Sequence, residues 1–91
     1  MKITFSFNGQ LASAAETHSA TIECEKGKLL KDCVIELSKR FNDSFSDLLL
    51  DNGNIANSII VAINNEQIVD KNESILNYDC EVMLMTPLAG G

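Results

Sequence analysis

The sequence predicts an α+β domain in which one β-sheet has a main helix packed on one of its faces. Segments that alternate apolar with polar residues outnumber the segment with helical periodicity, and strands do not alternate regularly with helices. The 91 residues suffice for one domain. The predicted order is strand, strand, long helix, strand, short strand, strand and tail. We expect a folded domain at residues 1–86 and an extended tail at residues 87–91.

The first two strands follow from strict alternation. Residues Lys2–Asn8 and Ala20–Glu25 each alternate apolar with polar side chains, as in a strand with one buried face. Their inward residues are Ile3, Phe5, Phe7, Ile22 and Cys24. Asn8-Gly9 ends the first strand with turn residues, and the Ala-rich segment Leu11–Glu16 predicts a short helical turn.

The main helix is predicted at Lys28–Phe41, where the pattern changes to helical spacing. Its apolar face consists of Leu30, Val34, Leu37 and Phe41. A second, shorter apolar motif formed by Phe45, Leu48 and Leu49 indicates another helical turn. The cluster Asp51–Asn54 then provides the residues of a turn.

Three strand segments complete the order. The apolar, β-branched segment Ser58–Asn64 predicts a central strand. Asn64-Asn65 predicts a hairpin turn into a short strand at Gln67–Val69. The polar connector Asp70–Asp79 leads to the last strand, Glu81–Thr86.

The charge of the chain excludes several classes of partner. With 7 basic and 13 acidic residues, the net charge is −6. Such a surface repels the phosphates of nucleic acid and the headgroups of an anionic membrane. No apolar stretch reaches transmembrane length, and polar residues interrupt the apolar region that a signal peptide would need after Lys2. We expect a cytoplasmic protein that binds neither nucleic acid nor membrane.

The reactive side chains form no convincing catalytic or metal site. The three cysteines are spread along the sequence without a C-x-x-C pair, and there is a single histidine. We expect thiols, with Cys24 and Cys33 packed as small hydrophobic residues. Nothing near Cys80 in the sequence would lower its pKa. His18, alone in a loop, is interpreted as a surface residue.

The tail ends in Gly90-Gly91 after Pro87, which stops the last strand because proline donates no ladder hydrogen bond. Extended, residues 87–91 reach about 16 Å. Glycines without Cβ atoms let the walls of a narrow tunnel approach the backbone. Such an arm delivers a terminal carboxylate. An enzyme that uses ATP can convert this carboxylate to an acyl-adenylate, and a sulfur nucleophile can then attack the acyl-adenylate to give a thiocarboxylate. A frayed, idle terminus is the alternative.

Three segments of the last third resemble the small, sulfur-carrying subunit of molybdopterin synthase and its relative, the sulfur carrier of the thiamine pathway. They are Ile60–Glu66, Leu76–Val82 and Met85–Gly91. The resemblance implies the β-grasp fold of ubiquitin, a mixed sheet whose last strand lies centrally beside the first, with a flexible C-terminal Gly-Gly tail. It also implies that Gly91 carries the thiocarboxylate and that Gly90 is the slender penultimate residue.

By the same resemblance, the chain is not an enzyme alone. An adenylating, E1-like enzyme would activate it with ATP, a sulfur donor protein would supply the sulfur, and the larger catalytic subunit of molybdopterin synthase would use it. No permanently bound cofactor or metal is expected.

The sequence departs from the family pattern at Asp79-Cys80, where Gly-Asp is usual, and at Thr86-Pro87, where Pro-Pro is usual. Thiolation for thiamine, cysteine or tRNA, a protein modifier joined to lysines, and an adaptor with an idle tail are the alternatives.

The partner-binding surface is predicted from the last strand. Glu81 is costly to bury, so the residues that share its orientation, Met83 and Met85, are expected on the outer face. Exposed methionines suit a patch that must fit more than one partner. The predicted partner-binding residues are Met83, Met85, Pro87, Leu88 and Ala89. The opposite assignment would place both methionines in the core, with Val82 and Leu84 outside.

Overall fold

The computed structural model describes residues 1–87 and has nine strands and three helices within that range. In chain order these are β1 (Lys2–Asn8), α1 (Gly9–Ala15), β2 (Ser19–Glu23), β3 (Lys28–Leu29), α2 (Leu30–Ser38), α3 (Asp43–Leu49), β4 (Leu50–Asp51), β5 (Asn54–Ile55), β6 (Ile60–Ile63), β7 (Glu66–Ile68), β8 (Ile75–Leu76) and β9 (Cys80–Met85). The predicted order of strands and the long helix is therefore confirmed, and the two-residue strands are additions to it.

The five longer strands form one mixed sheet in the order β2-β1-β9-β6-β7. β9 lies in its centre, parallel to β1 and antiparallel to β6. The outer pairs, β1-β2 and β6-β7, are antiparallel; β1 and β2 are connected through α1, and β6 and β7 form a hairpin. The place of β9 confirms the expected β-grasp arrangement, in which the last strand lies beside the first. The short pairs β3-β8 and β4-β5 form two separate ladders.

The core lies between one face of this sheet and the helices. On the sheet, its buried residues are Ile3, Phe5 and Phe7 of β1, Ile22 of β2, Val61 of β6, and Val82 and Leu84 of β9. On the helices, they are Leu11 of α1, Leu30, Cys33, Val34 and Leu37 of α2, and Phe45 and Leu49 of α3. Alternation along β1 and β9 therefore places the inward rows where the sequence predicts them.

The main helix, α2, starts later than the predicted range Lys28–Phe41. Lys28–Leu29 pairs with β8 instead of entering the helix. The N–H of Leu30 donates to the carbonyl oxygen of Ser74 at 2.8 Å, which gives the start of the helix a partner outside it. The predicted helix included Lys28 and Leu29 because nothing in the apolar spacing distinguishes these two residues from the first turn of the helix.

The main helix also ends earlier, at Ser38. The N–H of Phe41 donates back to the carbonyl oxygen of Ser38 at 3.2 Å, a tight turn that stops the helix. The same turn returns the ring of Phe41 to the core, where its centroid lies 5.8 Å from that of Phe7 and 4.7 Å from that of Phe45. The spacing predicts the correct face but the wrong end.

The two predicted helical turns are complete short helices, α1 and α3, so the sheet is covered by three helices instead of one main helix. Asn42 connects them. Its side-chain oxygen accepts the N–H of Phe45 at 3.0 Å and caps α3, while its amide nitrogen donates to the carbonyl of Ala14 at 2.9 Å. Among the described residues, no helix has both the length and the apolar character needed to cross a membrane.

The hairpin at Asn64-Asn65 is confirmed, with positive φ values of 49° and 70° at the two residues. The connector Asp70–Asp79 differs from its prediction, because it contains β8. Ile75–Leu76 is too short to show a strand pattern by itself, and its pairing with β3 comes from residues far away in the sequence.

Lys71 in this connector holds the segment that leads into β6. Its ammonium group donates hydrogen bonds to the carbonyl oxygens of Ala56 at 2.9 Å, of Asn57 at 3.2 Å and of Ile59. Burial lowers the pKa of Lys71. The three carbonyl oxygens supply the polar contacts that the partly buried ammonium needs.

Candidate functional site

The predicted site begins where β9 ends. Of the predicted site residues, Met83, Met85 and Pro87 are described, and Leu88, Ala89, Gly90 and Gly91 lie outside the described residues. β9 is paired on both sides, and its last residue, Met85, lies opposite Asn8 of β1 and Ile60 of β6. The root of the tail is therefore fixed by two neighbouring strands.

Beyond this last pair, Thr86 is in contact with the start of α1. The N–H of Gln10 donates a hydrogen bond to the hydroxyl oxygen of Thr86 at 3.2 Å. Gly9 has a φ of 60°, and a Cβ atom added to it would lie only 2.7 Å from the Thr86 Oγ1. Thr86 is half-buried, whereas Pro87 is exposed. The chain thus leaves the sheet at Pro87, after a contact for which only glycine leaves room.

The face of the sheet turned away from the helices has an apolar patch beside this point. Met85 lies opposite Ile60 and Met83 opposite Ala62, so the four side chains share one face. We call these four residues the outer-face patch. Ile60 is 38% exposed, both methionines are half-buried and Ala62 is buried. The predicted orientation of Met83 and Met85, away from the core, is confirmed.

Polar residues border the outer-face patch. On β1, the residues in register with Glu81, Met83 and Met85 are Thr4, Ser6 and Asn8. Glu81 itself is exposed, and the hydroxyl groups of Thr4 and Thr21 are 3.3 Å apart on the same face. Apolar contact on this side of the sheet is therefore concentrated at the strand end from which Pro87 leaves.

The thiols contribute no ready nucleophile. Cys24 and Cys33 are buried, as expected. Burial, together with a hydrogen bond to Cys24, raises the pKa of Cys33 to about 12. Burial and the neighbouring Asp79 carboxylate raise the pKa of the half-buried Cys80. Because the thiolate is the reactive form, Cys33 and Cys80 are unreactive near neutral pH.

Two cavities formed by residues 1–87 are lined by residues outside the outer-face patch. One of about 320 Å³ is lined by Ile63, Ile68, Leu76, Tyr78 and Cys80. Cys80 begins β9, about 17 Å along the strand from Met85, so this cavity is at the opposite end. Another of about 320 Å³ lies along α1 and includes the exposed His18. Within residues 1–87, no group of three or more His, Cys, Asp and Glu side chains could hold a metal ion.

Sequence reasoning missed four residues of this region. Ile60 and Ala62 belong to a nearly continuous apolar segment, and only the register of β6 against β9 shows which of its residues face outward. Gly9 was expected to belong to a turn, and no structure was predicted for Gln10. Their contact with Thr86 joins positions 76 residues apart, and a glycine directly after a strand was the one available signal.

Comparison with protein families gives one match. The model of the ThiS family matches residues 5–91, which is nearly the whole chain. A comparison with curated proteins gives no match.

Solved structures share the fold. SAMP1 from Haloferax volcanii, a small archaeal modifier protein, superposes with a TM-score of 0.81 at 19% identity, with 100% of both chains covered. Urm1 from Trypanosoma brucei gives a TM-score of 0.78 at 25% identity, covering 99% of this chain and 95% of that one. A chain in the complex of subunits 1 and 2 of molybdopterin-converting factor from Helicobacter pylori gives 0.63 at 19% identity, with 100% of both covered. These likenesses establish a ubiquitin-like, β-grasp fold.

Proposed function

The chain belongs to the ThiS family, and on that basis we propose that it is a sulfur carrier whose reactive group is the carboxylate of Gly91. An adenylating enzyme activates this carboxylate, and a sulfur nucleophile converts it to a thiocarboxylate. The main support is the family match, which continues through Gly90-Gly91. Further support comes from the root of the tail, which is paired at Met85 and hydrogen-bonded at Thr86.

The chemistry needs one group from this chain. A carboxylate oxygen of Gly91 attacks the α-phosphorus of ATP and pyrophosphate leaves, which turns a poor electrophile into an acyl-adenylate. A hydrosulfide-equivalent nucleophile, delivered by a sulfur donor protein, attacks the acyl carbon, and AMP leaves with the electron pair of the broken C–O bond. Loss of a proton gives the thiocarboxylate, a soft nucleophile that can donate sulfur. ATP is used by the activating enzyme, and the carrier retains no cofactor.

The side chains of the folded domain suit such a passive role. An acyl-adenylate is open to attack by a thiolate, and the raised pKa values of Cys33 and Cys80 keep these thiols protonated near neutral pH. Cys80 is also at the opposite end of β9 from the tail root. The activated end of the chain is therefore protected from capture by these two thiols.

The outer-face patch is the proposed docking surface, and Pro87, Leu88 and Ala89 extend it into the tail. Half-buried methionines adapt to differently shaped partners. A carrier must first dock on an activating enzyme and later on the subunit that uses the sulfur. If the outer-face patch serves both, the two complexes exclude each other. The net charge of −6 favours partners with basic surfaces.

The proposed destination of the sulfur is molybdopterin synthase, in which this chain is the small subunit beside a larger catalytic subunit. The Helicobacter pylori neighbour, solved as a complex of two molybdopterin-converting factor subunits, supports this choice. Sulfur transfer for thiamine, cysteine or tRNA uses the same carrier chemistry. A protein modifier is the second candidate, favoured by the likeness to a small archaeal modifier protein.

Intact mass spectrometry tests the proposal. The purified chain is incubated with ATP, a sulfur donor and an adenylating enzyme from the same organism, and one Gly91 oxygen should be replaced by sulfur. A variant with one residue appended after Gly91 is the matched control and should keep its mass. An unchanged wild-type mass, with an enzyme shown to form adenylate on another carrier, would contradict the sulfur-carrier function. Higher-mass conjugates in cell extract would indicate a modifier instead.

A further inference from the structure

Among the described residues, Thr86 is the last one whose side chain is tied to another element of the fold. Its hydroxyl oxygen accepts the N–H of Gln10 at 3.2 Å. The pocket for that hydroxyl exists because residue 9 has no Cβ, which would lie 2.7 Å from the oxygen.

The topology explains why these residues meet. Asn8, the last residue of β1, is in register with Met85, the last residue of β9, and the two strands are parallel. The chain turns out of β1 at Gly9, whose φ of 60° costs glycine no steric strain. Gln10 therefore arrives beside the residue that follows Met85, with its N–H free to donate.

We infer that Gly9 and Gln10 clamp Thr86 and thereby fix the direction in which the chain leaves the sheet at Pro87. This clamp matters to function only if the chain is the carrier proposed above. An arm with a fixed root explores less space, which raises the effective concentration of its end in a partner's active site. Gly9, Gln10 and Thr86 are positioning residues, since none of them takes part in the reaction.

The first test compares substitutions of Thr86 in the activation reaction. Thr86→Val keeps the side-chain shape but removes the acceptor, and its KM for the activating enzyme should rise about two- to tenfold, as expected for one hydrogen bond. Its kcat should stay within about twofold, because the chemistry after docking is unchanged. Thr86→Ser retains the hydroxyl and should restore the wild-type KM.

Thr4→Val is the matched control for this comparison. It also removes a threonine hydroxyl from the main sheet, one that lies 3.3 Å from the hydroxyl of Thr21 and away from Thr86. We expect wild-type KM and kcat for Thr4→Val. An equal rise of KM in both threonine variants would show a general effect on the sheet and overturn the clamp.

A double-mutant cycle separates the clamp from backbone strain at Gly9. Gly9→Ala adds a Cβ that displaces the Thr86 hydroxyl, and kcat/KM should fall. In a Thr86→Ala background the oxygen is absent, so the same substitution should have a smaller effect. The strain of alanine at a φ of 60° is common to both backgrounds and cancels. Strictly additive effects would overturn the clamp.

A measurement on the free protein keeps the clamp testable without any enzyme. Carbon-13 relaxation at the Pro87 Cα should show a lower order parameter in Thr86→Val than in wild type, and no change in Thr4→Val. An unchanged order parameter in Thr86→Val overturns the clamp, whatever the enzyme assay gives. If wild type gains no sulfur while Pro87 becomes less ordered in Thr86→Val, the clamp holds and the carrier function is the part that fails.

Discussion

Ile60 and Met85 lie opposite each other on the antiparallel strands β6 and β9, on the face of the sheet that the helices leave open. With Ala62 and Met83 they form the outer-face patch, directly beside the point where the chain leaves the sheet at Pro87. Other exposed apolar side chains, such as Val69 and Tyr78, lie outside it. A partner that holds the tail therefore has an apolar surface to contact at its root.

Met85→Asp and Ile60→Asp should each weaken binding of the proposed activating enzyme by at least about tenfold, because a charge is then desolvated at the centre of the proposed docking surface. Both side chains face outward, so the melting temperature should change little. Isothermal titration calorimetry and thermal unfolding measure the two effects. Thr4→Asp, on the same face but outside the outer-face patch, is the control. A large loss of thermal stability in Met85→Asp would instead place this side chain in the core.

Leu84→Ala should give the opposite result. Leu84 neighbours Met85 in sequence but is fully buried, so its truncation should lower the free energy of unfolding by about 2–4 kcal/mol. Met83→Ala, on the outer face, should cost less than about 1 kcal/mol. Urea unfolding measures both. Equal losses in the two variants would be incompatible with a sheet buried on one face only.

Lys71→Met should destabilise the domain by about 1–3 kcal/mol, because three carbonyl oxygens lose a charged donor. Lys31→Met is the control. Within residues 1–87, the ammonium of Lys31 donates one hydrogen bond, to the exposed side chain of Asn54 at 3.3 Å, and its loss should change stability by less than about 0.5 kcal/mol. Urea unfolding near neutral pH compares the two variants. Equal effects would mean that the carbonyl contacts of Lys71 add nothing to stability.

Stability should fall as pH rises above 9, in part because of Cys33. The unfolded chain releases this proton near the ordinary pKa of 9.0, whereas the folded state keeps it up to about 12. Between these values the folded state binds more protons, so the free energy of unfolding decreases with pH, by at most about 1.4 kcal/mol per pH unit for one group. Below the unfolded pKa this contribution is constant.

Cys33→Ala removes that contribution, so the difference in unfolding free energy between wild type and variant should shrink as pH rises. Urea unfolding at several alkaline pH values, with reductant present, measures this difference. Parallel curves for the two proteins would show that the Cys33 proton is not linked to folding.

Rules that act within a few residues predicted most of the fold. Ile3, Phe5 and Phe7 alternate because one face of β1 is buried, and Asn64-Asn65 forms the hairpin because both residues tolerate positive φ. The predicted ends of the main helix were wrong. The helix begins at Leu30, whose N–H donates to the distant Ser74, and it ends in a turn in which the N–H of Phe41 donates to Ser38.

Part of the candidate site could likewise be predicted from local sequence pattern, and part could not. Met83 and Met85 could be placed on the outer face from the charge of Glu81 and the period of a strand. Ile60 and the contact between Gly9 and Thr86 could not, because each depends on which residues of distant segments become neighbours. The register between strands depends on contacts between distant segments, and it cannot be predicted from the local pattern of one sequence.

The central position of β9 has a consequence for synthesis. The N–H of Lys2 donates a hydrogen bond to the carboxylate of Asp79, 77 positions later, and without β9 the strand pairs β1-β2 and β6-β7 have no strand between them. A nascent chain that has reached only β7 therefore has two half-sheets with open edges, which favour degradation or aggregation. Translation must supply β9 before the five strands can form one continuous sheet, so prematurely terminated products that lack this strand cannot complete the fold.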